Sequence, residues 1–149
     1  MKVQEISPYP DVMSFLENIK GETDCKLGIL TDGIPIKQYE KILRLGLDKY
    51  IQDVYISDEI GIRKPNPRLF ESILEQSAQE PAKALYIGDH YHNDVVPAKQ
   101  VGMQTCFIHR EGKHDLILDQ EMKAKVDYEV KNLEELWHMI KDSLARREK

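Results

Sequence analysis

Three polar positions in the sequence carry side chains suited to phosphate chemistry. Thr31-Asp32-Gly33 follows an apolar run, Lys64 lies in a polar loop, and a second apolar run ends at Asp89, five residues before Asp94. A hydroxyl followed by backbone N–H groups can hold phosphate oxygens, a lysine can neutralise phosphate, and paired carboxylates can hold Mg2+. Together these residues indicate a site for phosphoryl chemistry.

Each of these positions also has an ordinary interpretation. Residues 31–33 could form an ordinary turn at the end of a strand, and Lys64 could be an ordinary loop lysine. Asp94 could be the N-cap of the next helix. Asp89 is the more specific signal, because a carboxylate directly after a buried strand must be solvated, paired or bound to a cation. The chain order of hydroxyl, lysine and acid pair on successive loops favours the functional interpretation.

The elements that must position these residues alternate between strand-length apolar runs and stretches of helical period. That alternation predicts the α/β class with a mostly parallel sheet, in which ligands gather at the carboxyl ends of the strands. The predicted strands are residues 26–30, 54–57, 84–87, 105–108 and a short 128–130. The predicted helices are residues 12–19, 37–45, 68–76 with Pro67 in the first turn, one from about Asp94 or Val95, and 133–146.

Three segments have further features. In helix 37–45, which ends at Gly46, four apolar residues fall roughly on one side: Tyr39, Ile42, Leu43 and Leu45. Residues 58–66 read as a polar loop, and residues 112–125 are polar enough to form a mobile connection.

Size and charge limit the classes of function. With 149 residues, 41% hydrophobic and 32% charged, the chain has the size and composition of one globular domain. A net charge of −5 argues against a nucleic-acid partner, and the basic tail Arg146, Arg147 and Lys149 is expected to be a solvated helix end. No apolar run approaches the ~20 residues that span a membrane, so we expect a cytoplasmic protein without a membrane partner.

Three stretches together resemble a known family. Residues 27–33 (LGILTDG), 61–70 (GIRKPNPRLF) and 85–103 (LYIGDHYHNDVVPAKQVGM) are similar to motifs II, III and IV of the haloacid dehalogenase (HAD) superfamily, in that order. The detail is closest to the helical-cap branch that contains phosphoglycolate-phosphatase-like and nucleotidase-like enzymes. The resemblance implies that residues 1–149 form a single three-layer, Rossmann-like core domain, the C-terminal part of the usual HAD fold.

The resemblance also implies roles for the polar positions. Thr31 would hydrogen-bond the transferring phosphoryl group, with the backbone N–H groups of Asp32 and Gly33 nearby, and Lys64 would stabilise the negative charge. Asp89 would coordinate Mg2+, and Asp94 would support the metal shell. His90 stands where the family often has serine, and it reads as a loop histidine, as does His92.

The first family motif is absent. Family catalysis starts from an Asp-x-Asp pair after the first core strand, and no such pair occurs in this sequence. The resemblance therefore predicts a core without the usual first strand and cap, and a weak Mg2+ site. The gap in the sheet could be filled by the half-polar residues 1–6, by direct pairing of the motif II and IV strands, or by a second polypeptide or another copy of the chain.

Two functions from different classes follow. The first is Mg2+-dependent hydrolysis of a small phosphorylated metabolite, if the aspartate nucleophile comes from another polypeptide or a missing segment. The second is a non-catalytic module for phosphate binding or protein association.

Two other families share part of the pattern. His90-x-His92-x-Asp94 is similar to a zinc signature of metallo-β-lactamase-like hydrolases, but Val95 stands where that signature has its last histidine. A two-component receiver domain also combines aspartate, threonine and lysine-proline, but there the acidic residues precede the threonine. The sequence favours neither.

Overall fold

One parallel sheet forms the centre of the molecule. The computed structural model describes residues 10–32, 34–112 and 114–144, together with the backbone of residues 2–3. Its strands are β1 (Lys2–Val3), β2 (Gly28–Thr31), β3 (Asp53–Ile56), β4 (Leu85–Gly88), β5 (Gln104–Ile108) and β6 (Tyr128–Val130). Within the described residues they form a single sheet in the order β3-β2-β1-β4-β5-β6, with every pair parallel. The predicted α/β class is confirmed, and each predicted strand is found within two residues of its expected ends.

Helices connect the strands. They are α1 (Pro10–Glu22), α2 (Pro35–Arg44), α3 (Ser57–Ile60), α4 (Pro67–Ser77), α5 (Val96–Gln100), α6 (Gln120–Lys123) and α7 (Leu133–Leu144). Helix α4 begins at Pro67 as predicted, and the Asn66 side chain caps it by accepting a hydrogen bond from the backbone N–H of Arg68 at 3.0 Å. The predicted end of the last helix at residue 146 and the basic tail lie outside the described residues.

Alternation along the strands creates the three layers. In β4, Leu85 and Ile87 belong to the core cluster that contains α1 and α7, whereas Tyr86 between them belongs to the cluster that contains α4 and α5. Successive side chains of a strand point to opposite faces, so both faces of the sheet are covered by helices. This arrangement is the expected three-layer core.

Helix α2 buries only a narrow part of its apolar side. Ile42 is buried at 3% exposure, whereas Leu43 is 64% and Tyr39 40% exposed. Because α2 connects β2 to the edge strand β3, it lies at the border of the helical layer and needs only a narrow buried stripe.

The connection before β6 is also more ordered than its polarity suggested. Leu118 is 3% exposed and packs in a cluster with Tyr91, Val95 and Phe107. Helix α6 follows directly and Asp119 caps it by accepting from the N–H of Met122 at 2.8 Å. Within the described residues 114–125, the connection therefore contains a short helix and a buried leucine. Similarly, α3 occupies the start of the expected loop 58–66.

The central position of the sheet is taken by β1. Lys2 pairs with Gly28 of β2 and Tyr86 of β4, and Val3 pairs with Ile29 and Ile87. Of the three alternatives for filling the gap in the sheet, the first is thus observed, because two residues of segment 1–6 lie between β2 and β4. The alternative of direct pairing between β2 and β4 is wrong. The other residues of segment 1–6 lie outside the described part of the chain.

One acidic residue ties three elements together beside the sheet. The Asp11 carboxylate, near the start of α1, accepts two hydrogen bonds from the Arg110 guanidinium, at 2.9 and 3.1 Å, and one from the backbone N–H of Leu133 at 2.7 Å. A bidentate arginine pair combined with a helix N-terminus is a strong, directional arrangement. It fixes α1 and α7 relative to the end of β5.

Among the described residues, no helix has the length and apolarity needed to cross a membrane.

Candidate phosphate and metal site

The carboxyl end of β2 supplies a hydroxyl and a carboxylate. Thr31 is the last residue of β2, and its hydroxyl donates a hydrogen bond to Gln38 Oε1 on α2 at 3.1 Å. The Asp32 carboxylate accepts a hydrogen bond from the hydroxyl of Ser57, which is fully buried at the start of α3. Gly33, the third predicted phosphate-binding residue, lies outside the described residues.

Lys64 joins the two halves of the site. Its Nζ lies 3.6 Å from Asp32 Oδ2 at the end of β2 and 3.3 Å from Asp94 Oδ1 beyond β4. The Lys64 side chain is only 2% exposed, so its charge is compensated mainly by these two carboxylates. The lysine from one loop thus connects acids that are 62 residues apart in the sequence.

A π-helical turn, Tyr91–Val95, follows β4 and directs Asp94 back toward the sheet. Asp94 Oδ2 accepts a hydrogen bond from the backbone N–H of His90 at 3.0 Å, and Oδ1 accepts one from the Tyr86 hydroxyl at 3.4 Å. A Cβ added to Gly88 would lie 2.5 Å from Asp94 Cβ, so the carboxylate packs against a position that only glycine fits. Such π-helical turns occur frequently at functional sites.

Asp94 is not a helix N-cap. His90 caps the π-helical turn, because its Nδ1 accepts a hydrogen bond from the backbone N–H of Asn93 at 3.3 Å. The N-cap interpretation of Asp94 was therefore wrong, and the Asp94 side chain lies within the site instead.

Burial controls the protonation of this half of the site. Burial raises the pKa of Asp94 to about 7, and the Lys64 ammonium offsets only part of that rise. Burial also raises the pKa of Tyr86 well above its usual value, with the Asp94 carboxylate adding to the rise. The Tyr86 hydroxyl consequently keeps its proton and acts as a donor, while Asp94 changes charge near neutral pH.

Asp89 has an unsatisfied atom. Its Oδ1 is buried and has no hydrogen-bond partner among the described residues. A buried carboxylate oxygen is costly unless a donor, water or cation meets it. Asp89 precedes the π-helical turn that contains Asp94. Carboxylate oxygens of this kind suit Mg2+, which commonly keeps several waters and takes few carboxylates. In the described parts of the chain no group of three or more His, Cys, Asp or Glu side chains could hold a metal by itself.

The two histidines of the turn have separate aromatic partners. The His90 ring lies 4.2 Å from the ring of His114, and burial together with the His114 charge lowers the pKa of His90. The His92 ring meets Tyr91 edge-on at 5.2 Å. His90 and His92 thus contact different parts of the fold.

Three residues of this network were missed in the sequence: Gln38, Ser57 and Tyr86. Ser57 directly follows a strand, so the rule that selected Thr31 could have selected it. Tyr86 is a polar aromatic residue inside an apolar run, which is a weak signal. Gln38 has no distinguishing signal, because its contact with Thr31 depends on how α2 leaves the sheet.

The fold and this arrangement define the class of protein. The chain belongs to the haloacid dehalogenase-like hydrolase family, whose model matches residues 1–108. The predicted family membership is confirmed. The structure brings Asp32, Lys64 and Asp94 into contact, with Thr31 and Asp89 on the adjoining strand ends. The roles of these residues in phosphate and metal binding stay predictions.

Relatives named as phosphatases match most of the chain. A glyceraldehyde 3-phosphate phosphatase of Methanopyrus kandleri is 35% identical over 141 residues, which is 95% of this chain and 60% of that protein. A glyceraldehyde 3-phosphate phosphatase of Pyrococcus furiosus is 42% identical over 113 residues, which is 76% of this chain and 46% of that protein. The crystal structure of a HAD phosphatase from Thermococcus onnurineus superposes with a TM-score of 0.75 at 35% identity, covering 89% of this chain and 57% of that one. The chain thus spans roughly 60% or less of these relatives.

Proposed function

We propose that this chain is the core of a HAD phosphatase that hydrolyses small phosphate monoesters, and that it forms one core domain. The contact of Lys64 with both Asp32 and Asp94 carries the proposal. It links the end of β2, where a phosphate would be bound, to the end of β4, where a metal would be bound. A buried lysine shared between these two strand ends is the arrangement needed to neutralise a phosphoryl group beside a cation.

Each residue has a defined task in this proposal. The Thr31 hydroxyl turns from Gln38 to donate to a phosphoryl oxygen, and the Lys64 ammonium neutralises charge on the phosphoryl group. Asp89, whose Oδ1 has no hydrogen-bond partner among the described residues, and Asp94 would hold Mg2+, which would supply further charge neutralisation. Tyr86 and the backbone N–H of His90 orient Asp94.

The aspartate nucleophile would come from a strand outside these 149 residues, on another polypeptide or a further segment. The absence of an Asp-x-Asp pair from the sequence supports this part. Because β1 lies between β2 and β4, the supplied strand would take the place of β1 in the sheet.

The substrate is proposed to be a small phosphorylated metabolite. Several relatives are named glyceraldehyde 3-phosphate phosphatase, and others are named pyrimidine 5'-nucleotidase and phosphoserine phosphatase. Glyceraldehyde 3-phosphate is therefore the first substrate to test.

Complementation tests the proposal directly. The purified chain is mixed with a separately made polypeptide that carries the Asp-x-Asp strand and cap of the Methanopyrus kandleri relative. We expect phosphate release from glyceraldehyde 3-phosphate that depends on Mg2+ and on both polypeptides. Absence of release from a complex shown to form by native mass spectrometry would rule out the supplied-strand version.

A matched pair of lysine variants provides the control. Lys64→Ala should abolish phosphate release in the mixture, because it removes the charge beside the phosphoryl group. Lys83→Ala should leave release unchanged, because the Lys83 side chain is 76% exposed and pairs only with Glu80 among the described residues. Equal activity of the two variants would contradict the role of Lys64.

The absence of any Asp-x-Asp pair favours a second candidate, a non-catalytic module for phosphate binding or protein association. Calorimetry separates the candidates. An oligomer in native mass spectrometry, with no heat on titration with Mg2+ and inorganic phosphate, would favour association over catalysis.

A further inference from the structure

The candidate site has more acidic than basic groups. Three carboxylates, those of Asp32, Asp89 and Asp94, lie on the adjoining strand ends, and all three raise the pKa of Tyr86. Lys64 is the only cation that forms an ion pair with any of them in the described part of the chain. With all three acids ionised, the site therefore has a net charge of about −2, which opposes the binding of a phosphate anion.

Asp32 differs from the other two acids in its position. It follows Thr31 directly, and its Oδ2 lies 3.6 Å from Lys64 Nζ. The Ser57 hydroxyl binds the other oxygen, Oδ1. The carboxylate thus places its negative charge beside the ammonium that is proposed to hold the phosphoryl group, one residue after the proposed hydroxyl donor.

Asp32 can also leave this position. Its side chain is 46% exposed, whereas Asp94 is fully buried and bound by His90 and Tyr86. The separation of 3.6 Å from Lys64 is longer than the 2.7–2.9 Å of a strong charge-assisted hydrogen bond. An incoming anion can therefore take the place of the carboxylate beside Lys64 without unpacking the core.

We propose that the Asp32 carboxylate is the resting counter-ion of Lys64, which phosphate must displace, so that phosphate binds well only together with a divalent cation. This inference rests on the proposed function, because it assumes that Thr31 and Lys64 form the phosphate site. The two positive charges of the cation bring the site from about −2 to neutral. Asp32 thereby keeps free phosphate anions out of the site when no cation is present.

The test compares phosphate affinity with and without Mg2+. Inorganic phosphate is titrated into the chain and into Asp32→Asn by calorimetry at pH 8, in the presence and absence of Mg2+. Asparagine keeps an oxygen that can accept from Ser57 but has no charge. With Mg2+ present, we expect Asp32→Asn to bind phosphate roughly tenfold more tightly than the parent chain does, because one opposing charge is removed. Without Mg2+, we expect Asp32→Asn to bind phosphate measurably and the parent chain not to.

Two further variants control the result. Asp48→Asn makes the same charge change at an exposed site beyond the far end of α2 and should behave like the parent chain. Asp32→Ala removes the charge together with the contact to Ser57, and it should show the same gain, which keeps the test valid if the asparagine variant folds poorly. If Asp48→Asn gains as much phosphate affinity as Asp32→Asn, the gain is caused by the net charge of the chain, and the proposal is overturned.

The remaining outcomes separate this inference from the proposed function. If the parent chain binds phosphate with Mg2+ and Asp32→Asn binds no better, Asp32 is not the competing counter-ion, while the phosphate site stands. If Asp32→Asn loses affinity for both Mg2+ and phosphate, Asp32 is a metal ligand and the proposal is wrong. If none of the chains binds phosphate with Mg2+, the proposed function fails together with the inference.

Discussion

The carboxyl ends of β2 and β4 form the two halves of the site, and they are built differently. Beyond β4, Asp94 is fully buried, packs on Gly88 and accepts hydrogen bonds from His90 and Tyr86. Beyond β2, Asp32 is half exposed and bound through Ser57 and Lys64. The difference indicates that the proposed metal half is fixed by the core, while the proposed phosphate half can rearrange when an anion enters.

The largest expected effect comes from disturbing the rigid half. Gly88→Ala would place a Cβ 2.5 Å from Asp94, so the turn must move. We expect a loss of about 1–3 kcal/mol in the free energy of unfolding, measured by urea denaturation, and loss of Mg2+ binding. Gly21→Ala in α1 is the control, because its added Cβ meets nothing within 4 Å. An unchanged stability of Gly88→Ala would show that the turn is as adjustable as the end of β2.

At the end of β2, a comparable change should affect binding rather than stability. Thr31→Val keeps a β-branched side chain of similar shape but removes the hydroxyl that now donates to Gln38. Phosphate affinity in the presence of Mg2+ should fall about tenfold, the typical loss for a hydrogen bond to a charged group, while the free energy of unfolding changes by less than about 1 kcal/mol. Titration calorimetry and urea denaturation measure the two quantities. A loss of stability as large as that of Gly88→Ala would remove the contrast between the two strand ends.

The protonation of Asp94 gives a pH test of the metal half. Because burial raises its pKa to about 7, the carboxyl holds a proton at pH 6 that Mg2+ must displace, whereas at pH 8 it is ionised. Mg2+ affinity should therefore be about tenfold weaker at pH 6 than at pH 8, and binding at pH 6 should release close to one proton. Calorimetry in buffers of different ionisation enthalpy measures both quantities. Equal affinity at the two pH values would show that Asp94 does not take part in metal binding.

The smallest expected effect separates a buried contact from an exposed one of the same length. The Tyr86 hydroxyl lies 3.4 Å from Asp94 in the core, and the Tyr39 hydroxyl lies 3.4 Å from Glu59 at the surface. Tyr86→Phe should lower the free energy of unfolding by about 1 kcal/mol, while Tyr39→Phe should leave it unchanged within error. Thermal and urea unfolding measure the two variants side by side. Equal losses would indicate that burial adds nothing to the Tyr86 contact.

The sequence predicted the strands well because their signal is local. Buried parallel strands are short continuous apolar runs, and the runs ending near Thr31, Gly88 and Ile108 match β2, β4 and β5 closely. Burial that depends on neighbouring elements is not evident from the sequence. Leu43 is exposed because α2 lies at the border of its layer, and Leu118 is buried because its segment packs on Phe107.

By itself the sequence determined the family, the α/β class and the residues at the strand ends, because these follow from residue type, order and period along the chain. Only the tertiary structure decided which side chains meet. Ser57 reaches Asp32 across 25 residues and Lys64 reaches Asp94 across 30. Those contacts depend on the pairing of β2 with β3 and on the π-helical turn after β4, and no local pattern encodes either. The structure also placed Lys2–Val3 between β2 and β4, a position that their half-polar sequence did not require.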